Sequence, residues 1–291
     1  MKDAARLAAY FVATVVFGAL VAPPLYWATQ SLLANGAFPS LRPFGFESYF
    51  HRALLIGAVV FVWPLLRSLG VRRLGDLGVE RNPAARRDIG AGFVIAAVPL
   101  LCFAIGLLAV GIYSFRPASI AEIATRSSAA VIVPLIEEPL FRGLILGVLL
   151  RAFSAVRAAV MTAAFFAILH FLKAPDAETA VVTWSSGFTS VAKSFGQFHE
   201  SMLVLAGFTT LFLLACILAD ARLRTRSLWL PIGLHGGWIF VSVTFNKVAH
   251  REVVALPWIG RSLLIGIAPL SVGLLSWALL HLWFRRVAVP A

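Results

Sequence analysis

The chain has 291 residues, of which 60% are hydrophobic and only 13% charged, with a mean hydropathy of +0.90. A soluble domain is about a quarter charged, so this composition excludes one and makes lipid the solvent for most side chains. The net charge of +12 resides in arginines clustered briefly between apolar runs, which fits anchoring at a membrane surface and excludes the continuous basic face of a nucleic-acid-binding protein.

Apolar runs of about 17–25 residues predict transmembrane helices. Taken in chain order they fall at 7–28, 53–69, 89–113, 129–150, 158–171, 202–219, 228–245 and 263–284. The expected fold is therefore an all-α integral membrane protein of about eight transmembrane helices in a single transmembrane domain, 1–291, around a buried polar site. The first run follows Lys2 and Arg6 like a signal peptide, but its length and the lack of a small-x-small cleavage site predict a retained helix. Pro23, Pro24, Pro64 and Pro99 are expected to kink or end helices locally. Cys102 and Cys216 both fall inside apolar runs and read as buried small hydrophobes, neither a disulfide nor a metal pair.

With the N-terminus in the cytoplasm, fifteen Lys and Arg residues fall on the inside and nine on the outside, which predicts that both termini are cytoplasmic in a multi-pass inner or plasma membrane protein. Between Lys173 and Ser201, Trp184, Phe188, Phe195 and Phe198 lie among Gly and Ser. Such a segment reads as surface-lying or re-entrant, and its sharper reading is a gate over a substrate path. His51, His199 and His250 fall in outside loops and His281 near an inner helix end, all expected to be interfacial.

An ionisable group in a span costs about 2.5–3.5 kcal/mol and marks a functional site by default. The fourth run carries three, in Glu137-Glu138-Pro139-Leu140-Phe141-Arg142. Glu138 and Arg142 stand four residues apart, on one helix face where they can pair, while Glu137 lies about 100° around the helix and is left free to act as a general base or acid. The fifth run ends in Phe166-Ala167-Ile168-Leu169-His170, and the seventh contains Gly233-Leu234-His235-Gly236-Gly237. Counted from the nearest inside arginine at about 1.5 Å per residue, Glu137, His170 and His235 lie roughly 21, 20 and 14 Å deep, depths at which they can share one cavity. The glycines around His235 allow close helix approach or room for a substrate backbone.

These three motifs, in this order, resemble the CPBP intramembrane protease family, which includes CAAX-processing prenyl endopeptidases and bacteriocin-processing or immunity-type members. The family pattern is Glu-Glu-x-x-x-Arg, then Phe-x-x-x-His, then His-x-x-x-Asn/Asp. Residues 137–142 match the first, Phe166 to His170 the second, and His235 the start of the third, so the similarity covers about 120–245. The chain departs at Ile239, where the family has Asn or Asp and where this side chain neither ligates a metal nor donates a hydrogen bond. The resemblance implies an intramembrane endopeptidase acting on a peptide or protein substrate at the bilayer, with Glu137, Glu138, Arg142, His170 and His235 as its site. It implies either a metal-free Glu–His centre or a Zn²⁺ ion held by Glu137, His170 and His235, and both stay open here, as does the use of prenylated substrates. Two other classes compete: a non-enzymatic immunity or scaffold protein, which Ile239 favours, and a proton-coupled transporter, against which the lack of broken repeats argues.

Overall fold

The computed structural model describes residues 2–36, 44–79, 82–171, 181–253, 255–260 and 262–287. They are mostly helical, and they divide into two compact units, one of residues 1–72 and 170–199, the other of residues 73–169 and 200–291.

In the first unit, α1 (Lys2–Ala34) and α2 (Phe46–Ser68) form an antiparallel pair. Their closest approach uses small residues. A Cβ on Gly18 would stand 2.5 Å from a Leu54 methyl, and one on Gly57 would stand 2.8 Å from the Phe17 ring. Pro23 and Pro24 lie inside α1 and Pro64 inside α2 without ending either helix. α2 starts seven residues before the apolar run that predicted it, so His51 and Arg52 are helical and not in a loop. A short helix, α8 (Ser186–Ser194), lies against this pair, with Gly187 on the Ala19 backbone and the Ser190 hydroxyl donating to Glu47. The aromatic segment is thus partly helical and docked. Its portion at 172–180 lies outside the described residues.

The second unit is built on α3 (Ala85–Ala109) and α10 (Trp229–Val248), with α9 (Ser201–Thr225) and α11 (Pro269–Arg286) beside them. A buried apolar cluster from Ala96 and Leu100 through Leu214, Ile217, Leu230, Leu234 and Trp238 to Leu280 joins the four helices. A two-stranded antiparallel ribbon, β1 (Tyr113–Phe115) and β2 (Ala249–Arg251), ties the ends of α3 and α10 with Ser114 opposite His250. The exposed helix α4 (Ile120–Ser127) opens with a capping box in which Ser119 and Glu122 satisfy each other's backbone N–H groups. Those bonds hold the Glu122 carboxyl below its usual range, the Ser119 backbone N–H contributing most and nearby Lys247 adding to it.

The run at 129–150 folds as one helical rod with a change of pitch. It comprises α5 (Ala129–Glu138), a π-helical stretch (Pro139–Ile145) and α6 (Leu146–Leu150). Pro139 has no N–H to close an ordinary turn, and the wider ladder shows at Leu146, whose N–H donates to Phe141, five residues back. Such bulges are frequent at functional sites. α7 (Ala155–Phe171) follows.

Four helices among the described residues are long and apolar enough to cross a membrane: Lys2–Ala34, Phe46–Ser68, Ala85–Ala109 and Val204–Thr225. Their outer faces expose Val12, Val59, Val94, Val98 and Ile105, a distribution that water would penalise and lipid does not. The remaining predicted runs fall on the 129–150 rod, on α7, on α10 and on α11, which begins at Pro269 and not at residue 263. Cys102 is a correction. It is exposed on α3 and not buried, while Cys216 is half-buried, and both are free.

Candidate active site

The predicted i,i+4 pair is present. Arg142 Nη1 donates to Glu138 Oε1 at 3.0 Å, with both side chains sealed from the surface. Arg142 is held further by the Ala215 carbonyl, 3.4 Å from Nη2, and by the face of Phe166, whose ring centre lies 4.6 Å from the guanidinium carbon. Phe166, the first residue of the Phe-x-x-x-His motif, is therefore a cation–π seat for the buried arginine. It also packs edge-on against Phe141, 4.9 Å between centroids, and against the His235 ring at 6.1 Å.

His235 brings the second acidic residue into the same cluster. Its Nδ1 lies 2.7 Å from Glu138 Oε1, the oxygen that also accepts from Arg142, and its Nε2 lies 3.8 Å from Glu137 Oε2. One imidazole thus spans two adjacent carboxylates, a nitrogen toward each. Glu138 is the anchored member, wholly buried between a guanidinium and an imidazole. Glu137 is the freer one, with 27% of its side chain exposed. Its Oε2 accepts no hydrogen bond among the described residues, a condition that buried oxygens rarely tolerate without a functional reason.

Helical spacing alone pairs Glu138 with Arg142 and with nothing else. The second claim on Glu138 was not legible, because His235 lies 97 residues from it in the chain. The glycines flanking His235 take the first of their two predicted roles, close helix approach. A Cβ at Gly237 would meet the Phe93 carbonyl at 2.5 Å, one at Gly236 the Ala130 carbonyl at 2.8 Å, and one at Gly233 would overlap the Ile89 carbonyl. A Cβ on Gly92 of α3 would likewise stand 2.5 Å from the Leu230 carbonyl. His235 is thereby pinned between α3 and α5 by backbone-to-backbone contact.

His170 is the penultimate residue of α7, exposed, four residues and so about one helical turn past Phe166. It belongs to the first unit, whereas Glu137, Glu138, Arg142 and His235 gather within the second. Ile239 is half-buried on α10, one turn beyond His235. As a zinc site the cluster turns two donor atoms toward each other, Glu137 Oε2 and His235 Nε2, 3.8 Å apart. No group of three His, Cys, Asp or Glu side chains that could hold a metal is present among the described residues, so the four gathered residues do not by themselves fit Zn²⁺.

Residues 119–241 match the family model described as Type II CAAX prenyl endopeptidase Rce1-like. No curated protein and no solved structure matches the chain. The matched segment runs from α4 into α10 and contains all five predicted site residues. The resemblance to CAAX-processing endopeptidases, read from three short motifs, therefore extends over the continuous stretch that builds the cluster. That stretch, in a mostly helical chain with membrane-length apolar helices, is similar to this endopeptidase family.

Proposed function

We propose that this chain is an intramembrane endopeptidase in which Glu137 activates a water molecule against a peptide carbonyl. The observation that carries the reading is the single imidazole of His235 bridging Glu137 and Glu138. Glu138, ionised beside Arg142, accepts from Nδ1–H and so sets the tautomer, which leaves Nε2 as an acceptor facing Glu137. Two acceptors 3.8 Å apart can each take one hydrogen of the same water at ordinary hydrogen-bond length, which aims the water's lone pair outward. Glu137 removes a proton as the oxygen adds to the scissile carbonyl, then returns it to the departing amine nitrogen as the C–N bond breaks. The products are a carboxylic acid and an amine, which exchange the remaining proton to give carboxylate and ammonium.

Ile239 supplies no donor for the developing oxyanion. His170, set by its motif one turn beyond Phe166, is our candidate for that role. No step is routed through a metal. We further propose that all eight predicted runs cross the bilayer, with both termini in the cytoplasm of a plasma or inner membrane, and that the substrate is a peptide or protein segment reaching the site at the membrane.

The test is cleavage of a peptide library by the full-length protein purified in detergent, with metal content measured and a chelator added. Wild type cleaves and Glu137→Gln does not, at unchanged thermal stability. Retained cleavage in both Glu137→Gln and His235→Ala overturns the site. Ile239 supports a second reading, a non-catalytic membrane protein that keeps the cluster for packing. In that case wild type cleaves nothing, Glu137→Gln is silent in every assay, and Arg142→Ala unfolds the chain.

A further inference from the structure

The first unit holds a second buried carboxylate that the proteolytic reading does not use. Glu47 sits in the first turn of α2, six residues before the apolar run at 53–69 begins, among Ser48, His51 and Arg52. That composition places it at the membrane–water boundary and not at mid-bilayer. It is 3% exposed, yet only Oε1 has a partner, the Ser190 hydroxyl at 2.8 Å; Oε2 accepts nothing among the described residues. An ionised carboxylate has about four acceptor positions and loses stability when they go unmet in a buried setting.

Glu47 also lines a cavity of about 230 Å³ whose wall carries Thr183, Ser186, Thr189, Ser190 and Lys193. The cavity therefore presents one anionic group, several hydroxyls and one cationic group. Lys193 makes no ion pair with Glu47 among the described residues, so neither charge is spent on the other. Beside it, Trp184, Phe188 and Phe195 are exposed, Trp184 by 67%, the residue types that settle at lipid headgroup level.

We propose that this cavity binds the headgroup of an amine-bearing zwitterionic phospholipid. The primary ammonium donates to Glu47 and the neighbouring hydroxyls, the phosphate pairs with Lys193, and the acyl chains lie along the exposed apolar and aromatic surface. A primary ammonium has three N–H donors that need acceptors, which this wall supplies. A quaternary ammonium has none and is recognised by stacked aromatic faces, whereas Phe46 is the single aromatic residue among the described lining residues. A simple cation would use Glu47 and be repelled by Lys193.

The experiment titrates the delipidated full-length protein in detergent with dihexanoyl phosphatidylethanolamine, using dihexanoyl phosphatidylcholine, dihexanoyl phosphatidylglycerol and soluble phosphoethanolamine as comparisons, with thermal unfolding as the readout. The expected result is that the ethanolamine lipid raises Tm and binds about tenfold tighter than the choline lipid, as charge-assisted hydrogen bonds lost to methylation predict. Glu47→Gln removes that preference, while Lys193→Ala weakens both lipids and keeps their ratio. If Glu47→Gln does not fold, Ser190→Ala, which frees the carboxylate from its present anchor, narrows the preference. Equal responses to the ethanolamine and choline lipids in wild type overturn the proposal. So does a preference for phosphatidylglycerol, which makes this an anion site, or a response to phosphoethanolamine with none to the lipid, which makes it a soluble-ligand site.

Discussion

Glycine packs the α1–α2 contact and the contact of α10 with α3 and α5 in different ways. Where α1 meets α2, Gly18 and Gly57 face the tips of Leu54 and Phe17, side chains that can turn aside. Where α10 meets α3 and α5, Gly233, Gly236, Gly237 and Gly92 face the carbonyls of Ile89, Ala130, Phe93 and Leu230, which cannot. The glycine contacts of the first bring no carboxylate or imidazole together. The second sets His235 against Glu137 and Glu138. Polar chemistry in lipid needs groups held to a fraction of an ångström, since water is not there to compensate a misplaced partner. The backbone-on-backbone contact provides that rigidity, and the side-chain contact of the first pair does not need it.

The sharpest way to test the difference is chemical. Glu137→Gln keeps the shape of the side chain but removes the base, and is expected to lower kcat for peptide cleavage by about 10²–10⁴-fold with Tm unmoved. Arg142→Ala strands Glu138 in the interior and is expected to destabilise by about 3–5 kcal/mol, read as a fall in denaturant midpoint, with cleavage lost as a consequence. Gly233→Ala forces α10 away from Ile89 and is expected to cost about 1–3 kcal/mol or more. Its effect on kcat should exceed its effect on KM, because it displaces His235 and not the substrate path. Gly18→Ala, by the same measurement, is expected to cost less than about 1.5 kcal/mol. Equal losses at the two glycines would erase the comparison.

The smallest effect lies at α4, outside both contacts. Glu122 titrates below its ordinary value because Ser119 bonds its ionised form. Its contribution is therefore present above the unfolded-state pKa and disappears as pH falls through the lowered folded-state pKa. Hydrogen exchange across residues 120–127 should accelerate in that acid window for wild type. Glu122→Gln should show no such step.

Several elements were legible because they depend on near neighbours in the chain. The Glu138–Arg142 pair follows from helical spacing, and the glycines around His235 signalled close approach before any helix was there to approach. The exact helix ends were less legible. α2 begins within residues 46–52, where aromatic and polar side chains interleave and so form no long apolar run, and α11 begins at Pro269 because residues 263–268 are apolar but not helical. Cys102 read as buried because hydropathy does not separate a side chain facing protein from one facing lipid.

What the sequence determined by itself was the solvent, the helical class and the list of residues too polar for their surroundings, all consequences of local composition and period. What only the tertiary structure decided was how those residues are shared. His235 belongs to Glu138 as much as to Glu137, Phe166 seats Arg142, and three glycines place an imidazole between two carboxylates. Those partners lie tens of residues apart, and nothing in the spacing of one helix specifies which face of another will meet it. Long-range packing in lipid is set by backbone shape and by the need to satisfy every buried polar group at once, and both are properties of the folded chain.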